Sequence, residues 1–296
     1  MEYVIETNGL TKKYGNKTAV DHMSVHVQKG DIYGLIGKNG AGKTSLMKLL
    51  LGLTLPDEGK IRFFGNTDLN HARRNIGSLI EAPGLYKNET AYENMKRFAM
   101  LADTSDKEIR SILKTVGLAD TGRKKAGKFS LGMRQRLGIA IALLGHPEIL
   151  ILDEPINGLD PAGIKEIRDI ILELNKKGVT FVISSHLLDE LGKIATRYGI
   201  VSGGVLVEEI TSKELSDKCR TSLKIVTDDG RKAAYALNAY DPKLHLELSE
   251  NGLSVLSEVK DNSEINIALV NAGVRVYEMK NESIGFEDFF IERLGK

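Results

Sequence analysis

Residues 37 to 44 read Gly37-Lys38-Asn39-Gly40-Ala41-Gly42-Lys43-Thr44, the spacing G-x-x-x-x-G-K-[ST]. Its glycines leave room for backbone N–H groups to wrap phosphate oxygens, and a helix after the loop aims its positive dipole end at the same anion. In such a loop Lys43 reaches the β and γ phosphates and the Thr44 hydroxyl ligates Mg²⁺, with Ser45 beside it. A second segment, Ile149-Leu150-Ile151-Leu152-Asp153-Glu154, sets two carboxylates at the end of an apolar run. Strand ends of open parallel sheets are where ligands bind. Asp153 is expected to hold Mg²⁺ through water, and Glu154 to orient or deprotonate the water that attacks a γ-phosphate. Together the two segments predict a nucleoside triphosphatase and leave its class open.

Regular elements must hold these residues. Asp31 to Gly37 reads as a strand, and Leu46, Leu49, Leu50 and Leu53 recur at i, i+3, i+4 and i+7 as one helical face. The turn Pro56-Asp57-Glu58-Gly59 precedes a return strand over Lys60 to Phe64. Leu85 to Leu144 is helical in pattern: Thr90 and Glu93 have capping-box spacing, and Ile109, Ile112, Leu113 and Val116 form a stripe ending at Gly117. Ile149 to Leu152 and Val179 to Ile183 are short apolar runs, as parallel strands covered on both faces require. Between them Asp160 caps and Pro161 starts a helix striped by Ile164, Ile167, Ile171 and Leu174. Ile200 to Val205 reads as a hairpin, and a boundary is placed near Thr211. Beyond it, strands are expected at Leu223 to Thr227, Gly252 to Val259 and Val274 to Met279, and helices at Glu264 to Ala272 and Ser283 to Leu294.

The 296 residues carry 41 Lys plus Arg against 40 Asp plus Glu, a formal net charge of +1, which leaves no electrostatic footprint for nucleic acid or an anionic membrane. The single cysteine, Cys219, forms no internal disulfide, and the opening MEYVIET lacks a basic-then-apolar signal segment. A reducing cytoplasm is expected. The longest apolar stretch, Leu137 to Leu144, falls short of the roughly 20 residues that span a bilayer, so direct membrane insertion is not expected.

The class follows from what lies around the two phosphate segments. Phe129-Ser130-Leu131-Gly132-Met133-Arg134-Gln135-Arg136 resembles the signature of ABC ATPases, usually written LSGGQ. Asn157-Gly158-Leu159-Asp160 looks like the D-loop of that family, His186 like its switch histidine, and Tyr14 like the aromatic that stacks on adenine. Taken alone, each has a plainer reading: Ser130 as a helix cap, His186 as a structural histidine, Tyr14 as an exposed turn. Glu81, in Ile76-Gly77-Ser78-Leu79-Ile80-Glu81-Ala82-Pro83, stands where the family's Q-loop carries glutamine; a carboxylate is a harder, charged ligand for Mg²⁺. Leu131 and Met133 also depart from the signature.

The resemblance implies an α/β fold: a P-loop ABC ATPase core with an N-terminal antiparallel β subdomain and a helical signature subdomain at about 85–145. It implies a nucleotide-binding domain over 1–210 and a small α+β accessory domain over 211–296. Glu154, His186 and Glu81 would be catalytic, Thr44, Asp153 and Glu81 would hold Mg²⁺, and Tyr14, Gly37 to Ser45, Ser130, Gly132 and Asp160 would bind ATP. Two copies would sandwich two ATP molecules, each site joining Gly37 to Thr44 of one chain with Ser130 and Gly132 of the other. Coupling to integral membrane permeases would place the chain at the inner face of the cell membrane. Glu81 with the FSLGM-type signature resembles exporter subunits of the bacitracin-resistance and lantibiotic-immunity group. General drug, lipid or ion export, a soluble ABC ATPase uncoupled from transport, and a regulatory module with negligible turnover stay open as alternatives.

Overall fold

The computed structural model describes residues 2–219, 221–257, 259, 261–283, 289–291 and 293. The chain divides into two compact units, one of Met1–Ser212 together with Phe290–Lys296, the other of Lys213–Phe289.

The first unit opens with β1 (Tyr3–Tyr14), β2 (Lys17–Met23), β3 (His26–Gln28), β4 (Ile32–Ile36), α1 (Lys43–Leu51), β5 (Glu58–Phe63), α2 (Leu69–Ala72) and β6 (Ile76–Leu79). It continues through α3 (Ala91–Ala102), α4 (Asp106–Thr115), α5 (Leu131–Ala142), β7 (Ile149–Asp153), α6 (Pro161–Lys176), β8 (Thr180–Ser185), α7 (Leu188–Gly192), β9 (Arg197–Ser202) and β10 (Val205–Thr211). β1, β2, β3 and β5 form an antiparallel sheet. The larger sheet runs β10-β9-β4-β8-β7-β6, parallel from β9 to β6, with β10 folding back antiparallel on β9. One apolar cluster joins the two sheets through α1: Val4 and Ile5 of β1 share it with Leu46, Met47, Leu49 and Leu50 of α1 and with Leu35, Ile149 and Val182. The fold is the α/β one expected, with an antiparallel layer on a parallel core.

Local chemistry explains where elements start and stop. α1 ends sooner than its leucine stripe suggests: Gly52 turns left-handed at φ 73°, and Leu53 is 66% exposed. Thr90 and Glu93 close the expected capping box on α3, and Ser105 and Glu108 close a second on α4. Each box satisfies two amides at a helix start. Ile109, Ile112, Leu113 and Val116 are buried beneath this helical layer. On β6, a Cβ at Gly77 would stand 1.9 Å from the carbonyl oxygen of Ala142, where α5 ends. Gly77→Ala is therefore expected to force β6 from α5 and to cost about 1–3 kcal/mol of stability, read as a lowered urea midpoint.

α8 (Ser212–Lys218) leads into the second unit, built from β11 (Thr221–Thr227), α9 (Gly230–Tyr240), β12 (Leu246–Ser249), β13 (Gly252–Val255), α10 (Asn262–Asn271) and β14 (Val276–Ser283). Its sheet is antiparallel in the order β12-β13-β11-β14, and Leu223, Ile225, Leu253 and Val255 pack with Ala233, Leu237, Ile265 and Leu269 of the two helices. Strand and helix order make this a split β-α-β arrangement. Two sequence expectations shift. Ser283, read as a helix start, closes β14 because it pairs with Thr221 of β11. β13 stops at Val255 rather than Val259, and the Leu256 N–H donates to His245 instead. Within the expected last helix, Phe289–Ile291 and Arg293 are helical, whereas residues 284–288, 292 and 294, Phe286 among them, lie outside the described residues. Phe290 is fully buried against Tyr198 at 5.8 Å between ring centres, and Arg293 Nε donates to Glu208 Oε2 at 2.7 Å, both within the first unit.

Candidate nucleotide site

β4, buried along its whole length, runs straight into the loop at Gly37, where a Cβ would stand 2.4 Å from the Val201 carbonyl oxygen. The loop leaves at Gly42, in a left-handed conformation (φ 109°), and α1 begins there with no side-chain cap on its first amides. Those amides and the helix dipole are free for an anion. The buried Lys43 ammonium donates to the carbonyls of Gly37 at 2.6 Å and Lys38 at 3.3 Å, so its charge is held inside the loop. A cavity of about 280 Å³ opens over this loop, lined by Tyr14, Lys17, Ala19, residues 39–45 and Glu154. Tyr14 ends β1 with its side chain about half exposed, available as a stacking face.

The carboxylates come in on β7. Its parallel register with β8 sets Asp153 opposite Ser184. Asp153 accepts from the Thr44 hydroxyl at 2.8 Å and from the Ser184 hydroxyl at 2.5 Å, so each oxygen has a fixed partner. Ser184 Oγ in turn accepts from the Glu154 N–H at 2.8 Å. This bond supports a left-handed backbone at Glu154 (φ 47°), which a residue other than glycine adopts only under constraint. The Glu154 carboxylate lies between two cationic or protonatable groups. Oε2 is 2.8 Å from His186 Nδ1, and Oε1 is 3.7 Å from Lys43 Nζ. Oε1 is buried and accepts no hydrogen bond. A buried carboxylate oxygen left open costs free energy unless a ligand or water completes it. Because His186 meets the Glu154 carboxylate at 2.8 Å and does not line the cavity, His186→Ala is expected to lower kcat about 10²-fold and leave KM near the parental value, a split that steady-state kinetics resolves.

A hydroxyl and a carboxylate side by side, Thr44 and Asp153, form the hard-oxygen pair that suits Mg²⁺. Among the described residues no group of three or more His, Cys, Asp or Glu side chains is placed to hold a metal ion. Thr44 and Asp153 are the residues that would hold the ion, since Mg²⁺ at nucleotide sites takes its other ligands from phosphate oxygens and water.

The other expected site residues lie elsewhere. Ser130 caps α5 by accepting from the Met133 N–H at 3.2 Å, and Asp160 caps α6 by accepting from the Gly163 N–H at 3.1 Å. A Cβ at Gly132 would meet Leu159 at 3.8 Å and Gly163 at 4.0 Å, so the signature segment sits on the turn containing Asp160. None of the three lines the phosphate cavity of its own chain. Glu81 is paired with Lys48 rather than with Thr44 or Asp153. Sequence reasoning missed Ser184, Lys17 and Lys48. The only local signal for Ser184 is its place two residues before His186 at a strand end.

A family model described as ABC transporter matches residues 20–157. The bacitracin transport ATP-binding protein BcrA of Bacillus licheniformis is 41% identical over 301 residues, covering 100% of this chain and 98% of that protein. The lantibiotic transport ATP-binding protein SrtF of Streptococcus pyogenes is 44% identical over 206 residues, 70% of this chain and 90% of its own. A solved ATP-binding cassette of an ABC transporter, in its ADP conformation, superposes with a TM-score of 0.66 at 28% identity, over 72% of this chain and 92% of that one. With a phosphate loop, paired carboxylates and a histidine in the geometry above, the chain belongs to the ATP-binding, ATP-hydrolysing subunits of ABC transporters.

Proposed function

We propose that the chain hydrolyses ATP at the Gly37–Thr44 loop to drive export of a peptide antibiotic, of bacitracin or lantibiotic type, through separate membrane permeases. The observation that carries the catalytic half is the open Glu154 Oε1 within 3.7 Å of Lys43 Nζ. A water accepted there would stand next to the phosphate that Lys43 holds, and Glu154 would take its proton as bond formation begins. His186 fixes the carboxylate, Lys43 and the loop amides take up charge on the phosphate oxygens, and Tyr14 stacks on the base. Mg²⁺ held by Thr44 and Asp153 would neutralise charge on the β and γ phosphates.

The full-length likeness to BcrA supports the transported class, since it extends through the second unit as well as the first. Among the described residues no helix is long and apolar enough to cross a membrane; the likeness to transport ATP-binding proteins supports a path supplied by other chains and a place at the cytoplasmic face. That Ser130, Gly132 and Asp160 do not line their own chain's cavity supports a homodimer in which they meet the partner's nucleotide. Reconstitution with the permeases in lipid vesicles tests the proposal. Bacitracin or a lantibiotic should stimulate phosphate release and accumulate across the membrane; an unchanged rate with both peptides would refute the assigned substrate class.

A further inference from the structure

Glu81 emerges at the same end of the parallel sheet as the catalytic carboxylates. β6 pairs with β7 in parallel, Leu79 opposite Leu152, so the chain leaving β6 comes out beside Asp153 and Glu154. A carboxylate at that end has an electrostatic cost. Asp153, Glu154 and a triphosphate are already anionic, and a further uncompensated negative charge would oppose nucleotide binding.

Lys48 supplies the counter-charge. Its Nζ donates to Glu81 Oε1 at 2.9 Å. Lys48 lies four residues after Thr44 on α1, one turn along the same helix face. The hydrogen bond to Glu81 holds its ammonium above the ordinary lysine range, and the charge of Asp153 acts in the same direction. The same bond holds the Glu81 carboxyl below its usual range. Both side chains are a third or more exposed, at 36% and 67%. An exposed ion pair adds little to folding, so its effect is to be sought in the charge that a ligand meets. Glu81 itself is left-handed (φ 60°), and the bond to Lys48 ties that turn to the helix that begins at the phosphate loop.

We propose that Lys48 is a positioning residue that neutralises Glu81 and anchors the segment after β6 to α1, which keeps a carboxylate at this end of the sheet from opposing nucleotide binding. This rests on the nucleotide reading of the site. A neutral amide at position 81 would need no such partner, and that difference provides the test.

ATP and ADP binding would be titrated calorimetrically, with and without Mg²⁺, on the purified full chain and on Lys48→Met, Lys48→Arg, Glu81→Gln and the Lys48→Met/Glu81→Gln double variant. Lys48→Met is expected to weaken ATP binding roughly tenfold, the order expected for one uncompensated charge near the surface, to weaken ADP less, and to recover as salt is raised. Lys48→Arg should stay near the parental affinity. The double variant should bind within about twofold of Glu81→Gln alone, because the charge that needed compensation is gone. Equal weakening by Lys48→Met in both backgrounds, or none in either, would overturn the role of Lys48 while leaving the nucleotide site intact. Absence of ATP binding by the parental chain would overturn both.

Discussion

Glu154→Gln is expected to keep ATP and stop hydrolysing it, with phosphate release falling by about 10²–10⁴-fold, the range for removing a general base. The side chain keeps its size and can still meet His186, since an amide oxygen accepts as a carboxylate oxygen does. It cannot take up a proton from water. The groups proposed to hold phosphate, Lys43 inside the Gly37 loop and the uncapped amides of α1, are untouched. Binding should therefore survive and the ATP-bound form accumulate. Filter binding beside a single-turnover phosphate assay separates the two quantities. Hydrolysis at the parental rate would remove Glu154 from the role of base and leave its open buried oxygen unexplained.

Gly42→Ala should abolish nucleotide binding, lowering affinity at least about 10²-fold, because a dislocated loop loses several phosphate contacts together. Gly42 has φ 109°, and a Cβ there would stand 2.2 Å from the Ala19 carbonyl oxygen. That oxygen belongs to the backbone of β2 and cannot swing aside like a side-chain tip. Either the loop or the strand must move, and the strain adds to the conformational cost of alanine at positive φ. Gly40→Ala is the internal control. Gly40 also has positive φ (80°), but nothing lies within 4 Å of its Cβ position. Its loss should be confined to roughly 1–2 kcal/mol of backbone strain, with binding reduced far less. Nucleotide titration on both variants, with a urea melt to follow stability, resolves close contact from φ alone. Equal losses at both positions would mean that the approach to Ala19 is irrelevant.

The parts of the site legible in the sequence are those built from one continuous segment. Gly37 to Thr44 encodes its own turn, and Asp153-Glu154 follows its own strand, so residue type and spacing suffice. Capping at Thr90, Ser130 and Asp160 is local as well, and the structure uses all three side chains as caps. What the sequence could not disclose is register between distant segments. Ser184 bridges Asp153 and Glu154 because β8 lies beside β7 in one alignment, and a slip of one residue would turn it to the other face. Lys48 meets Glu81 across 33 positions of chain. The same limit explains the second unit. Its strands and helices carry periodic signals, yet the order β12-β13-β11-β14 is written in pairings, and one of them converts Ser283 from a helix start into a strand end. Leu53 shows the opposite error: a stripe continued by pattern past Gly52, where the backbone had already turned.

A crystal structure of the Glu154→Gln chain with Mg·ATP tests the central claim most directly. The triphosphate is expected to be wrapped by residues 37–44, with its γ-phosphate beside Lys43 Nζ and the residue-154 side chain, the metal between Thr44 and Asp153, and adenine against Tyr14. A triphosphate seated away from this loop, or a γ-phosphate out of reach of both Lys43 and residue 154, would contradict it.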